Sequence, residues 1–164
     1  LGKYFVNTNT GYENITNINT LNFPDTSLNV KNDIIEVFNL IKGVDDITGK
    51  VYRLYNAAFA RFPDYDGLNY WIEKNKLGQD NLRITAESFV ISKEFKKLNG
   101  SNLSDFKYVE NLYKNVLNRT PDTEGLEYWL NQLSKGNETR SELLIGFSES
   151  SENKLIFYEE TAFL

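Results

Sequence analysis

The sequence predicts a mainly α protein: two three-helix repeats packed together, preceded by a short β-segment and an extra helix. Three observations carry this. Residues 51–95 align with 109–153 without a gap, at a constant offset of 58. From residue 46 onward the apolar residues recur at the helical period. Before residue 33 the composition is different, rich in Asn and Thr with short alternating apolar sets.

The first 32 residues hold eight Asn. Their apolar pairs Tyr4/Val6, Leu21/Phe23 and Leu28/Val30 have period two, and Pro24-Asp25 punctuates them as a turn. Strands this short cannot bury a core alone. They read as the last rungs of an upstream β-structure, or as an extension laid on the helices. A linking helix over 33–45 follows, with Asp33 as N-cap and Gly43 as stop. Residues 46–100 form helical repeat 1, and 101–164 form helical repeat 2 with a C-terminal tail.

Fourteen positions are identical between the repeats, centred on R-x-P-D-x-[D/E]-G-L-x-Y-W. Helix one of each unit runs over about 47–60 and 105–118, with Val51, Leu54, Tyr55 and Ala58 matched by Val109, Leu112, Tyr113 and Val116 on one face. Pro63 and Pro121 end it. Asp64 and Asp122 stand as N-caps of helix two, with Asp66 and Glu124 in its first turn facing the positive helix end. Gly78 and Gly136 stop helix two. Helix three starts near Asn81 and Thr139, where Thr139 and Glu142 have capping-box spacing.

Composition excludes whole classes of chemistry. The chain has no Cys and no His, which removes thiolate nucleophiles, disulfides, the usual neutral-pH base and the common zinc, copper and iron ligands. A metal would need oxygen ligands, which means calcium or magnesium. The net charge of −5 argues against a nucleic-acid surface. Lys93, Lys96 and Lys97, the densest basic cluster, read as a solvated helix end. No window approaches the roughly 20 apolar residues of a membrane span. The chain begins at Leu1 with no signal-peptide layout, which suggests a processed piece of a longer protein.

Nine residues stand out as candidates for binding a glycan or partner: Arg61, Asp64, Tyr65, Asp66, Tyr70, Arg119, Asp122, Glu124 and Tyr128. Each has a structural reading beside the functional one. The pairs Asp64/Asp66 and Asp122/Glu124 could hold calcium or sugar hydroxyls, yet capping explains their position and spacing. Arg61 and Arg119 could bind phosphate or an acidic sugar, yet each closes a helix and can pair with the Asp three residues on. Trp71 and Trp129 have core spacing, whereas the adjacent Tyr70 and Tyr128 lie about 100° around the helix, towards partial exposure. Tyr65 is the loop aromatic, replaced by Thr123 in the second copy. Gly67 and Gly125 lack a phosphate-loop pattern and read as close-packing positions. No convergent carboxylate pair stands outside the caps, so the expectation is a protein that is not an enzyme.

The motif residues carry a resemblance. They are Val51-Tyr52-Arg53-Leu54-Tyr55, Arg61-Phe62-Pro63-Asp64, Gly67-Leu68-Asn69-Tyr70-Trp71, Phe89, Ser92 and Glu94-Phe95, with Leu112-Tyr113, Arg119-Thr120-Pro121-Asp122 and Gly125-Leu126-Glu127-Tyr128-Trp129 in the second copy. Over about 47–153 the chain resembles the DUF4214 family, a bacterial helical module often present in tandem, and more distantly the helical linker domain of phycobilisomes. The stretch Ile18–Leu28 is similar to the terminal strands before such domains in RTX-type secreted proteins. The Gly-rich calcium nonapeptide of those proteins is absent, so their calcium does not carry over. The resemblance implies a large surface, S-layer or adhesin-like protein, extracellular or at the cell surface, anchored to envelope polysaccharide or lipopolysaccharide or to copies of itself. It offers no catalytic residues. A protein scaffold like the phycobilisome linkers is the alternative. No cofactor is assigned, and calcium is left open.

Overall fold

A computed structural model of the chain describes residues 5–8, 11–24 and 27–161. Tyr4 of the first apolar pair, Asp25 of the expected turn and Thr26 lie outside the described residues. The chain divides into two compact units, Leu1–Leu40 and Ile41–Leu164.

The first unit holds two antiparallel hairpins: β1 (Phe5–Thr8) with β2 (Gly11–Asn14), and β3 (Thr20–Asn22) with β4 (Ser27–Asn29). Leu21 and Leu28 are cross-strand partners. Val30 leaves the strand pattern. It opens a π-helical stretch, Val30–Ile35, that continues into α1 (Glu36–Leu40). Asp33 is therefore not the N-cap. That role belongs to Asn29, whose side chain accepts from the Asn32 amide, while Asp33 accepts from the Asn29 amide at 2.7 Å. The expected helix over 33–45 begins earlier and ends at Leu40, short of Gly43.

Among the described residues, the regular structure of the second unit is entirely helical. The first repeat comprises α2 (Ile47–Phe59), α3 (Tyr65–Lys76), α4 (Leu82–Ile91) and α5 (Lys93–Asn99). The second comprises α6 (Asp105–Leu117), α7 (Thr123–Ser134), α8 (Arg140–Ser148) and α9 (Ser151–Thr161). Each repeat thus has four helices where the periodicity predicts three. Helix three is divided at Ser92 and again at Ser150. The Ser92 hydroxyl accepts from the Phe95 amide and the Ser150 hydroxyl from the Asn153 amide, so each serine restarts the helix in a new direction.

The other caps follow the sequence. Asp64, Asn81, Asp122 and Thr139 all accept from a backbone amide three residues on, and Thr139 with Glu142 completes a capping box. Asp46 caps α2 through the Thr48 and Gly49 amides. Gly78 and Gly136 stand just past their helix ends at φ +67° and +68°, the left-handed conformation that favours glycine.

One core joins the repeats. Helices α2, α4, α6 and α8 form its inner layer, with α4 against α8 and α2 against both α6 and α8. Leu54, Ala86, Phe89, Val109, Leu112, Leu144 and Phe147 are buried there. Helix α3 lies on α2, and α7 on α6. The third of each repeat's identical aromatics, Trp71 or Trp129, packs on Phe89 or Phe147, with ring centroids 5.2 and 5.7 Å apart.

Candidate functional site

Helices α2 and α3 meet at a lock built from the repeated motif. The guanidinium of Arg61 donates from Nε to Glu94 at 2.8 Å and from Nη2 to the Tyr55 hydroxyl at 3.0 Å, and pairs with Asp64 at 3.4 Å. It also lies over the Tyr55 ring, 5.1 Å from the centroid. Tyr55 donates to Asp64 Oδ2 at 2.9 Å, and Asp64 Oδ1 accepts from the Gly67 amide at 2.8 Å. Both carboxylate oxygens of Asp64 are thereby engaged. Burial works to raise its pKa, but the Gly67 amide, the Tyr55 hydroxyl and Arg61 outweigh it and hold the carboxyl below the usual range. Burial first, and then the bond to Asp64, push the Tyr55 phenol up to about 12.

The second repeat reproduces the lock in part, without the tyrosine hydroxyl's bonds to the Asp and the Arg among the described residues. Arg119 makes a two-point pair with Glu152 at 2.7 and 3.1 Å, lies 4.8 Å over the Tyr113 ring and approaches Asp122 at 3.5 Å. Asp122 accepts from the Gly125 amide at 2.8 Å. Nine of the fourteen identities have a direct reason in the lock, the caps or the aromatic core: Tyr55, Arg61, Asp64, Gly67, Trp71, Gly78, Phe89, Ser92 and Glu94 with their counterparts. Arg61, Asp64, Arg119 and Asp122 hold helices together. The structural alternative weighed for each of these four in the sequence describes their geometry.

The remaining candidates face outward. Tyr70 and Tyr128 are 53% and 54% exposed, each set edge-on against its neighbouring Trp at 5.1 and 4.8 Å. Lys74 lies 5.7 Å over the Tyr70 ring. Tyr65, Asp66 and Glu124 are exposed. Among the described residues, no three or more acidic side chains gather as a metal group, and the paired acids Asp64/Asp66 and Asp122/Glu124 are divided between a cap and the solvent.

Sequence reasoning missed two features. The first is Arg53, which is 2% exposed and bonds the Val44 carbonyl at 2.8 Å, the Ser148 carbonyl at 3.2 Å and Glu149 at 2.7 Å. Lys154 extends this network to Asp45 at 2.7 Å and to Glu149 at 3.6 Å. Its counterparts in the other repeat, Asn111 for Arg53 and Ile91 for Glu149, cannot form the pair, so the repeat gave no signal. The second is an amide-lined trough where α2 passes α6. The spacing of Asn111, Asn115 and Asn118, at i, i+4 and i+7, was the readable trace of it.

Comparison with known families bears on part of this unit. Residues 86–157 match the family described as Domain of unknown function (DUF4214). The DUF4214 match starts within α4 and ends within α9, so it takes in Arg119, Asp122, Glu124, Tyr128 and both members of the Arg119–Glu152 pair. Arg61, Asp64, Tyr65, Asp66 and Tyr70 lie before it, in the first copy of the same motif. No curated protein and no solved structure matches the chain. No helix among the described residues is long and apolar enough to cross a membrane.

Proposed function

We propose that this is a non-catalytic cell-surface module of a secreted bacterial protein, which adheres to envelope glycan. The observation that carries the reading is the equivalent exposure of Tyr70 and Tyr128, each buttressed by a Trp at the same place in its repeat. An aromatic face held rigid by a second ring presents apolar area with little entropy to lose on contact. Two such platforms on one rigid core suit a repeating ligand, because the second contact becomes intramolecular once the first is made. The charged members of the motif support the reading by elimination. Arg61, Asp64, Arg119 and Asp122 are engaged within the locks, while Asp66 and Glu124 stand apart in solvent, so the acids of the motif do not converge.

The test is binding of the purified chain to lipopolysaccharide and to whole envelopes, with calcium and with chelator. Saturable binding is expected, weakened by Tyr70→Ala or Tyr128→Ala and weakened more than additively by both. Loss of binding in chelator would add calcium to the interface. Absence of binding in every condition overturns the reading.

One observation favours the alternative of a protein scaffold. Helix α7 has no fully buried side chain, and its apolar residues Leu126, Trp129, Leu130 and Leu133 are half-buried, whereas Leu68 and Ile72 on α3 are 0% and 1% exposed. A protein laid on α7 would complete that burial. Concentration-dependent sedimentation, abolished by Leu130→Asp, is the outcome that reading requires.

A further inference from the structure

We infer that the trough between α2 and α6 is a binding site for a linear acidic polysaccharide, with Asn amides holding its hydroxyls and lysines its carboxylates. This rests on the glycan reading above and places a second, chemically distinct site beside the tyrosine platforms.

The trough consists of two adjoining cavities. One, of about 200 Å³, is bordered by Tyr52, Asn56, Asn115, Asn118, Asn153 and Phe157. The other, of about 400 Å³, is bordered by Asn99, Lys107, Asn111 and Lys114. Ala60 and Asn115 border both, so the two open on either side of that pair. Two cavities that share a border fit a chain better than a single small molecule.

Its chemistry is that of hydroxyl recognition. A primary amide offers a donor and an acceptor in one plane, which matches neighbouring sugar hydroxyls. Much of that capacity is free. The Asn115 side chain makes no hydrogen bond among the described residues. Asn153, 8% exposed, donates to the Ser148 carbonyl at 2.8 Å, and its Oδ1 has no partner among the described residues. Asn56 has one long bond, 3.4 Å, to the Arg61 carbonyl. The rings of Tyr52 and Phe157, 5.4 Å apart, supply an apolar wall. Helix packing does not ask for these amides: the other repeat has Ala57, Ala60 and Phe95 at the places of Asn115, Asn118 and Asn153.

Charge selects the acidic class. Among the described residues, neither cavity is bordered by Asp or Glu, in a chain whose net charge is −5. Arg53 is committed to Glu149. Lys107 pairs with Glu110 on its own helix, and Lys114 has no ion pair among the described residues. Lys107, Asn111, Lys114 and Asn115 run along one side of α6 at i, i+4, i+7 and i+8, cation and amide alternating, and Asn118 caps its end. The absence of a carboxylate from the borders also means that the site would bind a glycan without hydrolysing it.

The experiment titrates the whole chain with polygalacturonate oligomers and, in parallel, with neutral dextran oligomers, by calorimetry and by side-chain amide NMR. Expected are polygalacturonate binding that weakens with salt, shifts of the Asn115 and Asn153 amide signals, and much weaker dextran binding. Asn115→Ala, at an exposed position, is expected to weaken binding about tenfold, the size of one or two lost hydrogen bonds. Lys114→Gln should weaken it and flatten the salt dependence. Polygalacturonate binding unchanged by both variants but lost in Tyr70→Ala/Tyr128→Ala would overturn this site and leave the glycan reading standing. Equal affinity for dextran would overturn the acidic class. No binding to either oligomer, with lipopolysaccharide still bound, would overturn the inference alone. Failure of every glycan would overturn both.

Discussion

The Tyr113 hydroxyl occupies the space that a Cβ on Gly125 would need. The first repeat has the same relationship with more room: a Cβ on Gly67 would come within 3.0 Å of the Tyr55 hydroxyl. This explains a glycine in the first turn of a helix, where its backbone freedom is a disadvantage. Gly125→Ala should destabilise the fold by roughly 1–3 kcal/mol through overpacking. In a Tyr113→Phe background the same change should cost much less, because the clashing atom is gone. Urea melts of the four proteins measure that coupling, and additive effects would refute the relationship.

The Arg53–Glu149 pair ties α2 to the end of α8 from a nearly water-free position. Removing one partner of such a pair leaves the other buried and uncompensated. Glu149→Ala should therefore cost about 3 kcal/mol. Chemical denaturation checks it, and a change below that of an exposed pair such as Lys76–Glu73 would contradict the network.

Asn75 donates to the Trp71 carbonyl and to the Thr85 hydroxyl, both at 2.9 Å, while its buried Oδ1 has no partner. The second repeat places Leu133 and Leu143 at these two positions. Replacing Thr85 alone takes the acceptor from one Asn75 N–H, while Thr85 itself still donates to the Asn81 carbonyl at 3.0 Å; replacing both removes the Asn75 amide together with that loss. Asn75→Leu/Thr85→Leu is expected to be more stable than the sum of its single changes by about 1 kcal/mol or more. A thermodynamic cycle from thermal melts decides it.

Ala60 ends α2 in the left-handed conformation at φ +49°, where the second repeat has Asn118 at φ +53°. Alanine is strained there, asparagine less so, and glycine not at all. Ala60→Gly should stabilise the protein by about 1 kcal/mol. A lower melting temperature would count against that backbone geometry.

Stability should have a flat top in pH. The chain has no histidine. At the acid side, Arg119 lowers the Glu152 pKa against a smaller effect of burial, and the Asp64 pKa is lowered on balance. Groups lowered on folding contribute fully above their unfolded values, near 4, and lose that contribution as pH falls through the folded values. At the alkaline side, Tyr55, raised to about 12, contributes fully below its unfolded value near 10 and loses that contribution as pH rises towards 12. Urea midpoints between pH 2 and 11 should be level from about 5 to 9 and fall at both ends. Burial raises the Tyr108 phenol as well, so Tyr55→Phe should remove only part of the alkaline fall.

The local features were legible because their causes are local. The caps Asp64, Asn81, Asp122 and Thr139 bond amides three residues away, and the stops Gly78 and Gly136 answer to a single backbone angle. Ser92 and Ser150 were visible as identities but not as breaks, since Phe89 and Phe95 continue an apolar pattern that one bent or two separate helices satisfy equally. Asp33 was misplaced because Asn29 competes for the same cap and a π-helical turn shifts the frame.

The amino-acid order alone determined the class of fold, the duplication and the positions where helices begin, because helical period, capping chemistry and a constant offset of 58 are properties of neighbouring residues. Tertiary structure decided the partners. That Arg61 reaches Glu94 and Arg119 reaches Glu152, each 33 residues on, follows from how the last helix of a repeat folds back on the first. That Arg53 meets Glu149, and that Asn56 and Asn115 border one cavity, follows from packing one repeat against the other. Such contacts depend on where whole helices come to rest, and no spacing along the chain encodes that position by itself.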